Sequence, residues 1–332
     1  MKVGNISQTV WRRSVNNQLD KKDENLINVP SYNDTVMAVK NKSGEMSAVS
    51  YGKSFGKAPE TALYAVMYAV NEMLLRKGCA EYITLDFTLP VFTSEAQLKG
   101  MIEKVKVYAK EKGILLSGVT IEVNPAVSRV LCKASVYGTA YKETWTSSSK
   151  LSPDEDIVLL GYTGLEGMAR IVAEKEEELE AYFNKLFIRQ CKERAKEMDM
   201  AEAAAAIKDM KISAVKEIGS GGISAALWNI AEGTNAGFTV DLEKISICQE
   251  TIEVLEHYNL NPYDMTSQGS FLIMTKNGKE VVRMLEEAGA KATIIGTSNE
   301  GNIKVIRAGD DNRFLDRPAP DELMRWWQEE LS

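Results

Sequence analysis

Residues 217–224 are the ones whose types and spacing could do chemistry. Glu217 stands two residues before Gly219, and Ser220, Gly221, Gly222 and Ser224 follow. Glycines at a strand-to-helix junction let backbone N–H groups approach an anion, and a helix N-terminus adds positive partial charge. That is the chemistry of holding a phosphate or carboxylate. A tight, well-packed turn uses the same residues, because glycine punctuation is common at such junctions. The flanking pattern supplies the elements: Ile223, Leu227 and Ile230 recur at helical spacing, so 215–240 reads as strand, glycine turn, helix, turn and strand.

Other reactive side chains are sparse. Cys79, Cys132, Cys191 and Cys248 are far apart and make no CxxC pair, so a local zinc or redox motif has no support and buried thiols are expected. The single histidine, His257, lies in a polar stretch near a helix end and reads as a surface residue. A metal site rich in histidine is thereby excluded, and a Ser-His-Asp triad would depend on that one residue.

The 332 residues suggest two domains, with 44% apolar and 26% charged residues, an ordinary globular mixture. A net charge of −7 argues against nucleic acid as the main partner. No apolar run approaches the ~20 residues that a membrane helix needs, and the N-terminus lacks the apolar core of a signal peptide. A cytoplasmic protein without membrane attachment is expected.

Strands are predicted at 35–39 and 46–52, then a buried helix over 58–78 that is apolar nearly all round, with Pro59 in its first turn. A strand over 81–90 and a helix over 94–113 capped by Ser94 follow, then strands at 114–123 and 129–140. This mixture makes an α+β domain of about 140 residues. The polar stretch 143–156 is the expected boundary. Beyond it the pattern predicts a strand at 157–163, helical structure from Leu165 to about Met200, and a further helix at 201–210. After the glycine turn come a helix near 248–257, a strand at 270–275, a helix at 279–289, strands at 292–298 and 302–309, and a C-terminal helix with Pro320 and Asp321 near its start. The charge run 174–180 reads as a solvated helix face.

Several stretches occur in an order that one family explains together: Asn33-Asp34 before the first strand, Asn71-Glu72 on the buried helix, GVTIEVNPAVSR, GYTGLEGMAR, EIGSGG with ALWNIAEG, and SQGS at 267–270. The chain resembles the aminoimidazole ribonucleotide (AIR) synthetase superfamily, also called AIR synthase-related or PurM-like, on the side of the HypE-like hydrogenase-maturation proteins. The resemblance runs from about residue 30 to 310 and is strongest in the second half. It implies a two-domain α/β chain: an extension over 1–30, an ATP-binding N-terminal domain over 31–145 whose mixed sheet forms a barrel across a homodimer, a C-terminal α/β domain over 155–315, and a C-terminal helix over 318–332. It also implies ATP and magnesium as cofactors, a small-molecule substrate, and chemistry in which ATP activates an amide or carbonyl oxygen or phosphorylates a small acceptor.

Residue by residue, the resemblance places Asp34 and Glu72 as metal-binding and catalytic acids and Asn71 beside a ligand oxygen. Glu122 and Arg129 match a glutamate and an arginine around a strand and its turn, and Glu217, Gly219, Gly221, Gly222, Ser267 and Gly269 line the ATP or phosphate site. The departures are equally specific. YNDT replaces a motif with a second acid, and 46–59 holds Lys53 and Lys57 where the family has a metal-binding aspartate. Those lysines either bind phosphate directly or are surface charge, and YGKS lacks the first glycine of a P-loop. The chain ends QEELS with its last cysteine at Cys248, whereas the hydrogenase-maturation enzyme ends in the cysteine that carries its carbamoyl group, so that reaction is not expected. The alternative is a catalytically degenerate relative that binds a nucleotide or a protein partner without turnover.

Overall fold

The computed structural model describes residues 6–19, 24–27, 36–41, 46–146, 151–232, 234 and 236–330. They fall into two compact units: Gln18–Trp145, and Thr146–Ser332 together with Met1–Asn17. Among the described residues no helix is long and apolar enough to cross a membrane. The chain starts with α1 (Gln8–Ser14), where the Ser7 hydroxyl accepts from the Val10 N–H; α1 belongs to the larger unit.

The Gln18–Trp145 unit holds β1 (Val36–Lys40), β2 (Met46–Gly56), α2 (Thr61–Leu75), β3 (Cys79–Leu89), α3 (Glu95–Glu111), β4 (Leu115–Val123) and β5 (Val130–Ala140). The sheet order is β1-β2-β5-β3-β4, antiparallel except for the parallel pair β3 and β4. Helix α2 is buried along nearly its whole length, as its apolar sequence requires. It lies close on β2: a Cβ on Gly52 would sit 1.9 Å from the Ala65 carbonyl oxygen, and the Ser50 hydroxyl donates to the Ala69 carbonyl at 2.6 Å. Ser94 opens α3 with a reciprocal capping box to Gln97.

The face of this sheet away from α2 carries Met37, Tyr51, Tyr137 and Tyr82, which the registers Met37↔Val49↔Tyr137↔Tyr82 place on one side. All four are exposed, each by more than two fifths. Further along it Lys53, Lys133, Asp86 and Thr120 form a polar row, and the Thr120 hydroxyl donates to Asp86 Oδ1 at 2.7 Å.

The larger unit is built on a seven-stranded sheet of β6 (Asp156–Leu160), β7 (Ala214–Glu217), β8 (Ala236–Asp241), β9 (Phe271–Thr275), β10 (Ala292–Glu300), β11 (Lys304–Ala308) and β12 (Asp311–Phe314). Their order is β12-β11-β8-β10-β6-β9-β7, with only β8 and β11 parallel. Its helices are α4 (Leu165–Leu179), α5 (Lys185–Arg194), α6 (Ala201–Ala206), α7 (Gly222–Ala231), α8 (Gln249–His257), α9 (Gly278–Glu287) and α10 (Glu322–Glu330). Ile223, Leu227 and Ile230 of α7 bury their face against Phe238, Val240, Leu272 and Ile295 of the sheet, as their spacing predicts. The helical stretch from Leu165 is not continuous: Asn184 starts α5 by accepting the Phe187 N–H on its side chain. Strand β12 was not predicted, since DNRF is polar and exposed on every residue.

Candidate functional site

Three motifs that are far apart in the chain meet at the start of α4. Glu166 is fully buried there. Its Oε1 accepts from Arg170 Nη1 at 2.7 Å, and its Oε2 accepts from the Thr266 hydroxyl at 2.7 Å and the Gln268 N–H at 2.9 Å. Ser267 ties the same two segments together: its hydroxyl accepts the Gly164 N–H at 2.7 Å and contacts the Met265 carbonyl at 2.8 Å. A buried carboxylate is tolerated only when paired and hydrogen-bonded, and these contacts supply both conditions.

The glycine turn joins from the other side. Gly221 and Gly222 have φ of +84° and +62°, which a side chain would strain. A Cβ on Gly222 would lie 2.3 Å from the Tyr263 carbonyl oxygen, so the glycine permits the 263–265 backbone to touch the start of α7. Glu217 Oε1 accepts the Gly269 N–H at 3.4 Å, and the Ile218 N–H donates to the Ser270 carbonyl at 2.8 Å.

The turn does hold an anion, and the anion belongs to the chain. Asp321 Oδ2 accepts the Gly221 N–H at 2.6 Å, and its Oδ1 accepts the Met324 N–H at 3.1 Å. The Ser220 side chain also hydrogen-bonds to it. Asp321 is 2% exposed, and burial pushes its carboxyl up to about 6 despite these donors. It thereby opens α10, whose Leu323, Trp326 and Trp327 are buried, and the Arg170 guanidinium lies 4.9 Å from the centre of the Trp327 ring. Glu166, Arg170, Thr266 and Asp321 were absent from the residues singled out for chemistry. The i,i+4 spacing of Glu166 and Arg170, and Asp321 following Pro320 at a helix start, were the available signals.

The other expected residues lie elsewhere. Asp34 falls outside the described residues. Asn71 and Glu72 are buried on α2, and Glu72 Oε2 accepts from Arg76 Nε at 2.7 Å with the two side chains 3% and 2% exposed. Glu122 is exposed on β4 and accepts from Asn124 Nδ2 at 3.1 Å, and Arg129 is half-buried just before β5. Lys53 and Lys57 are both exposed. Among the described residues no three Asp, Glu, His or Cys side chains converge as a metal would require. A hard cation needs several converging oxygens, and Glu72 faces a guanidinium, so the described residues do not by themselves fit a magnesium site.

Three of the four cysteines are inert by position, and Cys79 departs from the buried thiols expected. Burial pushes the thiols of Cys132, Cys191 and Cys248 up to about 12, while Cys79 is exposed. His257 is exposed and rests against Tyr182 at 4.4 Å between ring centres.

Comparison with known proteins identifies a family domain and the fold. Residues 152–308 match the family described as "AIR synthase related protein, C-terminal domain". A protein of Methanocaldococcus jannaschii named for hydrogenase expression/formation is 21% identical over 273 residues, covering 79% of this chain and 77% of its own. Among solved structures, Escherichia coli HypE, a hydrogenase maturation protein, superposes with a TM-score of 0.70 at 16% identity over 82% of this chain and 86% of its own. HypE solved in complex with ATP gives 0.66 at 13% identity, over 83% and 87% of the two chains. ThiL complexed with AMPPCP and TMP gives 0.65 at 14% identity, over 85% and 90%. Residues 152–308 thus carry the AIR synthase-related C-terminal domain, and the chain shares the PurM-like fold of these solved structures.

Proposed function

We propose that the protein is an ATP-utilising member of the AIR synthase-related superfamily that activates an amide or carbonyl oxygen or phosphorylates a small acceptor. The observation that carries the reading is the junction of the GLEG and TSQG segments at Glu166, with the GSGG turn packed on the 263–270 segment. It reproduces in space what the family resemblance joins in sequence, and two structural neighbours were solved with ATP or AMPPCP. The nucleotide is assigned to the Gln18–Trp145 unit and to Asp34, with Asn71, Glu122 and Arg129 in support. The glycine turn already spends its Gly221 N–H on Asp321. Magnesium would enter only as the counter-ion that the nucleotide brings with it. The chain's own part in phosphoryl transfer would be positioning and charge stabilisation, which carry most of that chemistry.

The uncovered face of the five-stranded sheet supports a homodimer, because it exposes Tyr51, Tyr82 and Tyr137 together. A second reading, nucleotide or partner binding without turnover, is favoured by one observation: Glu72 is neutralised by Arg76. Thermal unfolding with ATP, with and without MgCl2, tests binding. A ligand at 100 times its Kd stabilises the native state by about 2.7 kcal/mol. Absence of any shift contradicts ATP use, and a shift that Asp34→Asn leaves untouched removes Asp34 from the site. Phosphate release with amide, riboside and carbamoyl donors then separates an enzyme from a binding protein.

A further inference from the structure

The larger unit contains a cavity of about 320 Å³ at the first turns of α7, where Ile223, Ser224 and Leu227 line it. That volume is at the small end of the range for ligand pockets, the size for a small metabolite rather than a nucleotide. Its apolar side is made by Ile223, Leu227, Ile245 and Ile306. Its polar side is Asp264, whose Oδ2 accepts from Asn261 Nδ2 at 2.6 Å and whose carboxylate also takes a hydrogen bond from the Ser224 side chain. The Tyr263 N–H donates to Asn261 Oδ1 at 3.1 Å, and the Asp264 carbonyl accepts the Glu322 N–H at 3.3 Å, so the loop that carries the acid is fixed on both sides. Burial raises the Asp264 carboxyl above its ordinary value, with Glu322 adding in the same sense and Arg313 opposing it. A partly desolvated carboxylate of this kind gains from a cationic or N–H partner supplied by a ligand.

Arg313 and Arg317 also line the cavity, on the 313–319 segment. Among the described residues Arg313 forms no ion pair within 4.0 Å. This segment lies after the residues that match the family domain, 152–308, while the apolar floor and Asp264 lie within them. An apolar floor, the fixed Asp264 carboxylate, and the guanidiniums of Arg313 and Arg317 with a second acid, Asp316, near them are complementary to a molecule with an apolar body and two opposite charges.

We propose that this cavity binds a small amphipathic zwitterion of amino-acid size, its amine on Asp264 and its carboxylate on Arg313. The site is separate from the proposed nucleotide site and does not depend on it. The test uses the full chain and four probes in calorimetry and saturation-transfer NMR: L-leucine, L-phenylalanine, and two half-ligands of leucine. Isoamylamine lacks the carboxylate, and 4-methylpentanoate lacks the amine. The amino acids are expected to bind saturably, and each half-ligand about tenfold or more weaker. Asp264→Asn should weaken leucine while leaving 4-methylpentanoate unchanged, and Arg313→Gln should weaken leucine while leaving isoamylamine unchanged. Arg313 is exposed, so its variant retains the fold and keeps the test valid if Asp264→Asn is unstable. No saturable binding of either amino acid, or binding indifferent to both substitutions, overturns the proposal.

Discussion

Single residues decide how far function can be read from this chain, and Glu72 shows why. In sequence it is an acid beside an asparagine on an apolar helix, the position where the family resemblance implies a metal ligand. In the structure its carboxylate faces Arg76 in a place that water does not reach. Removing one partner of such a pair leaves the other charge buried, which costs about 3–5 kcal/mol. Glu72→Ala should therefore lower the stability measured in urea by that order, with no nucleotide or metal present. A near-neutral change would return Glu72 to a role in binding. The i,i+4 relation of Glu72 and Arg76 is visible in sequence, but burial decides whether it is a pair or two solvated ends, and burial is a tertiary property. The thiols give a second outcome at this scale. With Cys132, Cys191 and Cys248 buried and pushed up to about 12, a thiol reagent at neutral pH should label Cys79 alone in the native protein and all four once it is unfolded. Rapid native labelling of any buried cysteine would contradict the packing described.

At the scale of elements, α10 is the part that changes the reading of the glycine turn. The sequence makes the turn legible as an anion site, because 219–222 has the glycines and the helix start that such a site needs. It does not tell which anion. Asp321 lies 100 residues away from Gly221, and only the fold brings the two together. A pH test follows. The native state holds the Asp321 proton more tightly than the unfolded chain, about 6 against an ordinary 3.8. Its contribution is therefore fully present below about pH 4 and is lost as pH rises through about 6. A gap of about two pK units corresponds to about 3 kcal/mol, as an order of magnitude. Between pH 4 and 7 wild type should lose stability relative to Asp321→Asn, read as converging or crossing urea midpoints. Parallel profiles would mean that Asp321 is not held as described. Other elements were legible to different degrees. The all-round apolar helix at 58–78 and the Ser94 cap follow from residue patterns alone. The break before α5 was hidden because 174–180 reads as continuous helix, and only the Asn184 side chain marks it. Strand β12 was hidden because its exposed DNRF has no apolar alternation to detect.

On the scale of the whole molecule, the likeness to the AIR synthase-related fold was legible from the order of its motifs, since GLEG and TSQG meet at the Glu166 carboxylate and the GSGG turn packs on the 263–270 segment. The half to which the resemblance assigns nucleotide was less legible, because the resemblance departs most between Met46 and Pro59 and at YNDT. The uncovered sheet face gives an outcome for assembly. If it joins two copies, Tyr51→Asp combined with Tyr137→Asp should convert a dimer to a monomer in sedimentation without lowering helix content. An unchanged sedimentation coefficient would place the interface elsewhere. We propose that nucleotide is held by the Gln18–Trp145 unit, whereas Asp321 closes the glycine turn of the larger unit. Hydrogen exchange with and without saturating ATP tests it most directly. The account predicts added protection in peptides spanning 31–60 and none at 217–222. Protection centred on 217–222, or no change anywhere in the chain, would contradict it.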